Sequence, residues 1–303
     1  MIAEFYIIAE SFAQNTTASK AEIETKIEAL GNDFVSIRKH KETNKLFINP
    51  DIYNIPFINE VSISDLLFND QIANNNLDRD ARNMLKKIVI ETETKNITSQ
   101  EVIEVLLPEH NQDLCHGLIA FNTVTGVHPE FQVVYNHNGW LDFRRYYLEI
   151  YPKNSVFFID ECIKYFPNLY FHERNKTTIG AILHNCPKKI VYHLTALNDK
   201  FRDTDATHLN RSQILEHFSI NANLDATASL EGNAARKPIL TFSFLNDKKE
   251  TVNICCEPHL KLCHNDFYPG DASYSNDRRI YFHEGINNIQ ENRILIGHIG
   301  DHL

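Results

Sequence analysis

The amino-acid sequence predicts an α+β protein: a helix-rich mixed N-terminal part followed by a C-terminal antiparallel β-meander. Three observations carry this. Up to residue 218, most segments repeat apolar residues at helical spacing, between short β-branched and aromatic runs. Residues 219–237, SINANLDATASLEGNAARK, are small, polar and non-periodic, which reads as a loop or linker. Beyond them the hydrophobic period falls to two. The chain of 303 residues is long for one core. The expected parts are an N-terminal α+β unit at 1–110, a mostly helical middle unit at 111–218, the linker, and a sheet unit at 238–303.

AEFYIIAESF opens as a buried strand, rich in aromatic and β-branched residues. NTTASKAEIETKIEALGND is a helix with Thr17 or Ser19 as cap, Ile23, Ile27 and Leu30 inward, and Gly31 just past its end. KLFINPDIYNIPF is a strand followed by turns at Pro50 and Pro56, and Ser64 caps the short helix SISDLLF. DRDARNMLKKIVI is a helix with Leu77, Met84, Leu85, Ile88 and Val89 facing inward, and TSQEVIEVLL is another, stopped by Pro108. HGLIAFNTV and EFQVVYN read as strands around a turn at Gly126. Four helical segments follow, from Trp140, Asn154, Lys188 and Asp203. PILTFSFL, ETVNICCEPHLKL, RRIYFHE and NRILIGHIG are the four strands of the meander.

Hydrophobic residues make up 43% of the chain and charged residues 23%, as in an ordinary globular protein. The formal charge of −10 excludes a uniformly basic surface for nonspecific nucleic-acid binding, and leaves room for a local basic groove. The N-terminus has Glu4 and Glu10 within its apolar run and no basic region before it, so no signal peptide is expected. No stretch is long and uncharged enough for a transmembrane helix. A cytoplasmic protein with its six thiols reduced and no membrane partner is the expectation.

CCEPHLKLCHND concentrates candidate chemistry. Cys255, Cys256, His259, Cys263 and His264 are metal-ligand types, but zinc sites use two close pairs separated by a longer loop. Core cysteines are the favoured reading, zinc the alternative, and no cofactor or metal is assigned. On a strand, Glu257, His259 and Lys261 share one face and Cys256, Pro258, Leu260 and Leu262 the other. On the next strand Arg279, Tyr281 and His283 share a face; on the last, Ile294, Ile296 and His298 do. If these strands pair, Arg279 and Tyr281 converge with His259 and Lys261. Such a set suits RNA cleavage without a metal. Lysine or arginine stabilises charge on phosphate, while tyrosine or histidine moves the proton of a 2′-hydroxyl. A solvated polar row is the competing reading.

The order HLKL, RRIYF, RILIGHIGDHL resembles the C-terminal sheet of RelE-type toxin ribonucleases, with Ile296-Gly297-His298 as the best match. The likeness covers about 60 residues. It implies RNA as substrate, charge stabilisation by Arg279 and Lys261, and a protein antitoxin as possible partner. The residue-level reading adds His259 and Tyr281 for proton transfer and His298 for positioning or a second transfer. The loop CHNDFYPGDASYSND is longer than the family's turn, and the N-terminal region has no counterpart in it. The rival expectation is a non-catalytic subunit of a defence or toxin–antitoxin assembly, docking through aromatics such as YYLEIY and FPNLYF. Trp140, Arg144 and Arg145 read as a helix with a buried apolar face and solvent-facing or ion-paired arginines. His193, on an apolar stripe, reads as a core histidine.

Overall fold

A computed structural model describes residues 1–13, 18–128, 131–134, 139–262, 266 and 278–303. The chain is α+β, with strands and helices interleaved along its whole length. It forms two compact units, Met1–Tyr147 and Leu148–Leu303.

The first unit is built on a five-stranded parallel sheet. Its strands are β1 (Ile2–Ile7), β2 (Asn44–Ile48), β5 (Glu93–Thr94), β6 (Leu114–Ala120) and β7 (Gln132–Val134), in the order β5-β2-β1-β6-β7. A short hairpin, β3 (Pro56–Ile58) and β4 (Val61–Ser62), stands apart from it. The connections carry α1 (Lys20–Lys39), α2 (Ile63–Phe68), α3 (Asp70–Asn76), α4 (Arg79–Ile90) and α5 (Ser99–Glu101), which runs on into a π-helical turn at Val102–Leu106. α6 (Gly139–Ile150) begins in this unit and ends in the next. Parallel strands need crossover connections, which is why helices separate them. β1 lies at the centre, and its apolar run, broken only by the half-buried Glu4, suits a strand covered on both faces.

Several local expectations are corrected here. α1 runs eight residues beyond Gly31, because the missing side chain there makes room for Met84 of α4; a Cβ would meet its Sδ at 2.4 Å. Ser19 caps α1 in a reciprocal capping box with Glu22, while Thr17 lies outside the described residues. The cap of α2 is Ser62, accepting from the Asp65 amide at 3.0 Å, not Ser64. β6 and β7 are parallel neighbours, not a hairpin. The division near residue 110 is replaced by one after Tyr147, since β6 pairs along its length with β1. Arg144 and Arg145 are buried and not solvent-facing: Arg144 donates to the Met1 carbonyl at 3.1 Å, while Arg145 makes the expected ion pair with Asp142 at 3.5 Å.

The second unit contains α7 (Ser155–Tyr165), β8 (Leu169–Phe171), α8 (Asn175–Thr178), α9 (Pro187–Lys200) and α10 (Arg211–Asn221). Five strands follow: β9 (Thr241–Leu245), β10 (Thr251–Cys255), β11 (His259–Lys261), β12 (Arg278–His283) and β13 (Ile294–Asp301). The expected four-strand meander is two sheets. β9 and β10 form a hairpin, and the four-stranded sheet runs β11-β12-β13-β8. The break falls at Glu257-Pro258, where proline cannot donate to a ladder. The unexpected member is β8, parallel to β13 and hidden in FPNLYF behind the helix-ending Pro167. Phe166, Leu169 and Phe171 of that stretch are core residues, which removes it as an exposed aromatic docking face. The segment after α9 does not continue helically; α10 starts afresh at Arg211, capped by Asn210.

Candidate active site

β11 and β12 pair so that His259 faces Tyr281 and Lys261 faces Arg279, the convergence the sequence alternation predicts. β13 completes the row through an irregularity. Tyr281 pairs with His298 but Phe282 with Ile296, leaving Gly297 as an extra residue. Strict alternation predicts His298 on the face of Ile294 and Ile296. The bulge instead turns it toward Tyr281, whose face it shares with Leu295. Gly297 is required there, since a Cβ would meet the Phe242 ring at 2.4 Å and the Cys256 sulfur at 2.8 Å.

Tyr281 is the hub. Its ring centroid lies 5.2 Å from that of His259, 6.0 Å from His298 and 6.4 Å from His302. The row is not the solvated one of the competing reading but buried: Tyr281 is fully covered, and His259, Arg279 and His298 are each under 9% exposed, while Lys261 is half-buried. Between them the hairpin β9–β10 covers much of this face, packing Phe242, Phe244 and Ile254 into one cluster with Tyr281 and Leu295.

Hydrogen bonds fix the two imidazoles differently. His259 Nε2 lies 3.1 Å from Ser229 Oγ, and its Nδ1 lies 3.4 Å from the Glu257 carbonyl, which can only accept. The proton therefore sits on Nδ1, and Nε2 takes the Ser229 hydroxyl. His298 Nε2 donates to the Asp301 carbonyl at 2.8 Å, leaving Nδ1 as a bare acceptor, buried and without a hydrogen bond. The Tyr281 hydroxyl is likewise buried without a well-formed hydrogen bond, although the Leu303 backbone is near enough to favour its ionised form. Buried polar atoms without a hydrogen bond are uncommon and call for an explanation.

Burial dominates the electrostatics. It pulls His259 and His298 down to about 4, with Arg279 adding to the effect on His259 and Arg174 on His298. Both rings are neutral at pH 7. Burial raises the Tyr281 phenol, so it keeps its proton. Glu257 is not part of the row; it pairs with Lys237 at 3.4 Å and Arg211 at 3.6 Å.

Four residues of this site lie outside the sequence expectation as site members: Ser229, Glu231, Arg236 and His302. Ser229 is bridged to His259 through both backbone groups as well as its hydroxyl. Arg236 donates to the His302 ring at 2.9 Å, and Glu231 lies 3.8 Å from both. The first three fall in the stretch read as a linker, where no periodicity signals them. Cys263 and His264 lie outside the described residues, and among the described residues no group of three or more metal-ligand types is placed to hold an ion. Cys115, Cys162, Cys186, Cys255 and Cys256 form no disulfide. His193 is fully buried, as expected of a core histidine. Among the described residues no helix is long and apolar enough to cross a membrane.

Comparison with protein-family models, with curated proteins and with solved structures finds no match to this chain.

Proposed function

We propose that β11, β12 and β13 carry a metal-independent site for cleaving RNA, with His298 as general base. The observation that carries the reading is the pair of buried, unsatisfied groups, His298 Nδ1 and the Tyr281 hydroxyl, on adjacent strands beside the buried Arg279 guanidinium. One is an acceptor held in its tautomer by a backbone carbonyl; the other is a donor that holds its proton.

In this reaction His298 Nδ1 takes the proton of a ribose 2′-hydroxyl. The 2′-oxygen forms a bond to phosphorus as the bond to the 5′-oxygen breaks, and the leaving oxygen takes the Tyr281 proton. The products are a 2′,3′-cyclic phosphate and a 5′-hydroxyl. Proton return from His298 to Tyr281 resets the pair. Arg279, with Lys261 beside it, stabilises the charge gathering on the phosphate oxygens. An anionic phosphate next to a neutral imidazole favours its protonated form, so substrate raises the basicity that burial suppressed. His259, tied to Ser229, positions the phenol. His302 stacks over Tyr281, held by Arg236 and Glu231, and the β9–β10 hairpin covers the rest of the face, so both must shift for substrate to enter.

The test is cleavage of single-stranded RNA in EDTA by the wild-type chain and by His298→Asn and Tyr281→Phe. Cyclic-phosphate ends, lost in both variants, are expected; cleavage abolished by chelation, or unchanged in both variants, overturns the reading. A folded chain that cuts no RNA leaves the role of non-catalytic binding subunit instead.

A further inference from the structure

A second feature of the same unit lies beyond the reacting pair. A cleft of about 410 Å³ opens between β8 and β9. Each of these strands is the end strand of its sheet. The floor is aromatic: the Tyr170 and Phe244 rings are 6.0 Å apart, and His172 meets Phe244 edge-on at 5.3 Å. Gln290, Ser243 and Arg293 supply polar groups at its rim. His172 also reaches Phe242, on which the Arg174 guanidinium is stacked at 4.9 Å. Phe242 in turn packs on Gly297, next to His298. An unbroken run of contacts therefore leads from the cleft to the candidate base.

Charge identifies the occupant. The chain has ten more acidic than basic residues, yet neither Arg174 nor Arg293 pairs with a carboxylate among the described residues. Glu173, the acid at the cleft rim, points its charge into a pair with Lys176 at 3.3 Å. A guanidinium in the lining, Arg293, and a second beyond it over Phe242, beside tilted and edge-on aromatic rings, suit a ligand with a flat base and an anionic backbone. They do not suit an apolar peptide strand, which would have to desolvate these half-exposed cations without pairing them.

We propose that this cleft is a subsite for one unpaired nucleotide of single-stranded RNA, with Tyr170 stacking the base, Arg293 at the rim contacting one flanking phosphate and Arg174, beyond Phe242, contacting the next. It deepens the RNA-cleavage reading by placing a neighbouring nucleotide, and its test is one of binding, so the two can fail separately. The probe is a 2′-O-methyl hexauridylate, which cannot be cut by 2′-hydroxyl attack, with one 4-thiouridine for photocrosslinking. Affinity is read by fluorescence anisotropy on the full chain. Tyr170→Leu removes the ring and leaves an apolar side chain against the core; affinity falls about tenfold. Arg174→Gln with Arg293→Gln lowers the slope of log affinity against log salt by about 1.4, two contacts at roughly 0.7 each. The crosslink maps to residues 170–172 or 243–245. Should Tyr170→Leu melt early, the arginine pair alone decides. Unchanged affinity and salt slope, or a crosslink outside the cleft, overturns the proposal. Binding that survives in His298→Asn supports the subsite, and binding without cleavage in any variant or wild type removes only the catalytic reading.

Discussion

Tyr281 and His298 face each other across a bulge in β12–β13, ring centres 6.0 Å apart, each with a buried polar atom that makes no well-formed hydrogen bond. Proteins rarely leave such atoms, because each costs about 1–3 kcal/mol. The cost and the chemistry can be separated by substitution. Tyr281→Phe removes the unsatisfied hydroxyl with little change of shape. It is expected to melt at the wild-type temperature or above while cleaving RNA about 10²–10⁴-fold more slowly. Calorimetry with a cleavage assay checks both; a lower melting temperature with full activity contradicts the assignment.

Arg279→Gln is expected to lower the rate at saturating RNA about 10²–10³-fold, because the guanidinium acts on charge that develops during the reaction. A change confined to KM would make Arg279 a binding residue only. Truncation to alanine is a poorer probe. The sequence places Arg279 and His259 on an open polar face, where alanine is harmless, but both are buried and their loss leaves gaps.

Stability should depend on pH in a defined window. His259 and His298 each have a folded pKa of about 4, below the ordinary histidine value of 6.5. The unfolded chain therefore binds more protons between those values. The contribution is fully present above about pH 6.5 and is lost as pH falls toward 4. Melting temperatures measured from pH 8 to 4 should be flat at first and then drop. His298→Asn should shallow the drop, and a profile identical to wild type counts against a buried neutral imidazole.

Ser229→Ala tests what holds His259. If the hydroxyl only orients the ring, activity falls less than tenfold and the backbone bridge between Ser229 and His259 keeps the fold. A loss as large as that of His298→Asn, together with labelling of Ser229 by a fluorophosphonate, would point to a serine nucleophile instead.

Gly297→Ala is a structural control. The added methyl meets Phe242 and Cys256 well inside contact distance, so a loss of about 1–3 kcal/mol is expected from overpacking. Chemical denaturation measures it. No loss would mean that the bulge relaxes easily and that the facing of His298 is not rigidly set.

The pairing of β11 with β12 was legible because alternation alone fixes which side chains share a face, and His259, Lys261, Arg279 and Tyr281 lie in regular strands. His298 was legible as a residue but not as to side, since one extra residue at Gly297 reverses the parity of everything before it. β8 was missed because three residues after a helix carry no periodicity of their own; it is a strand only through β13. The parallel sheet of the first unit was hidden for a related reason. β1, β2 and β6 read correctly as single strands, but which of them are neighbours is a long-range fact. Ser229 and Arg236 sit in a polar stretch whose order comes from side-chain contacts, and pattern reading sees such a stretch as linker.

The place of β13 between β12 and β8 has a consequence for how the molecule is made. The Asn175 side chain donates to the Ile296 carbonyl, a partner 121 residues later in the chain, and the adjoining β8 has no other strand beside it. Contacts of such sequence separation form late, after the entropy of closing a long loop has been overcome. On the ribosome, α7 through α10 emerge while the strand they await is still unwritten. Tyr281 and His298 thus meet only once the chain has passed residue 298, well after α7 through α10 have been made.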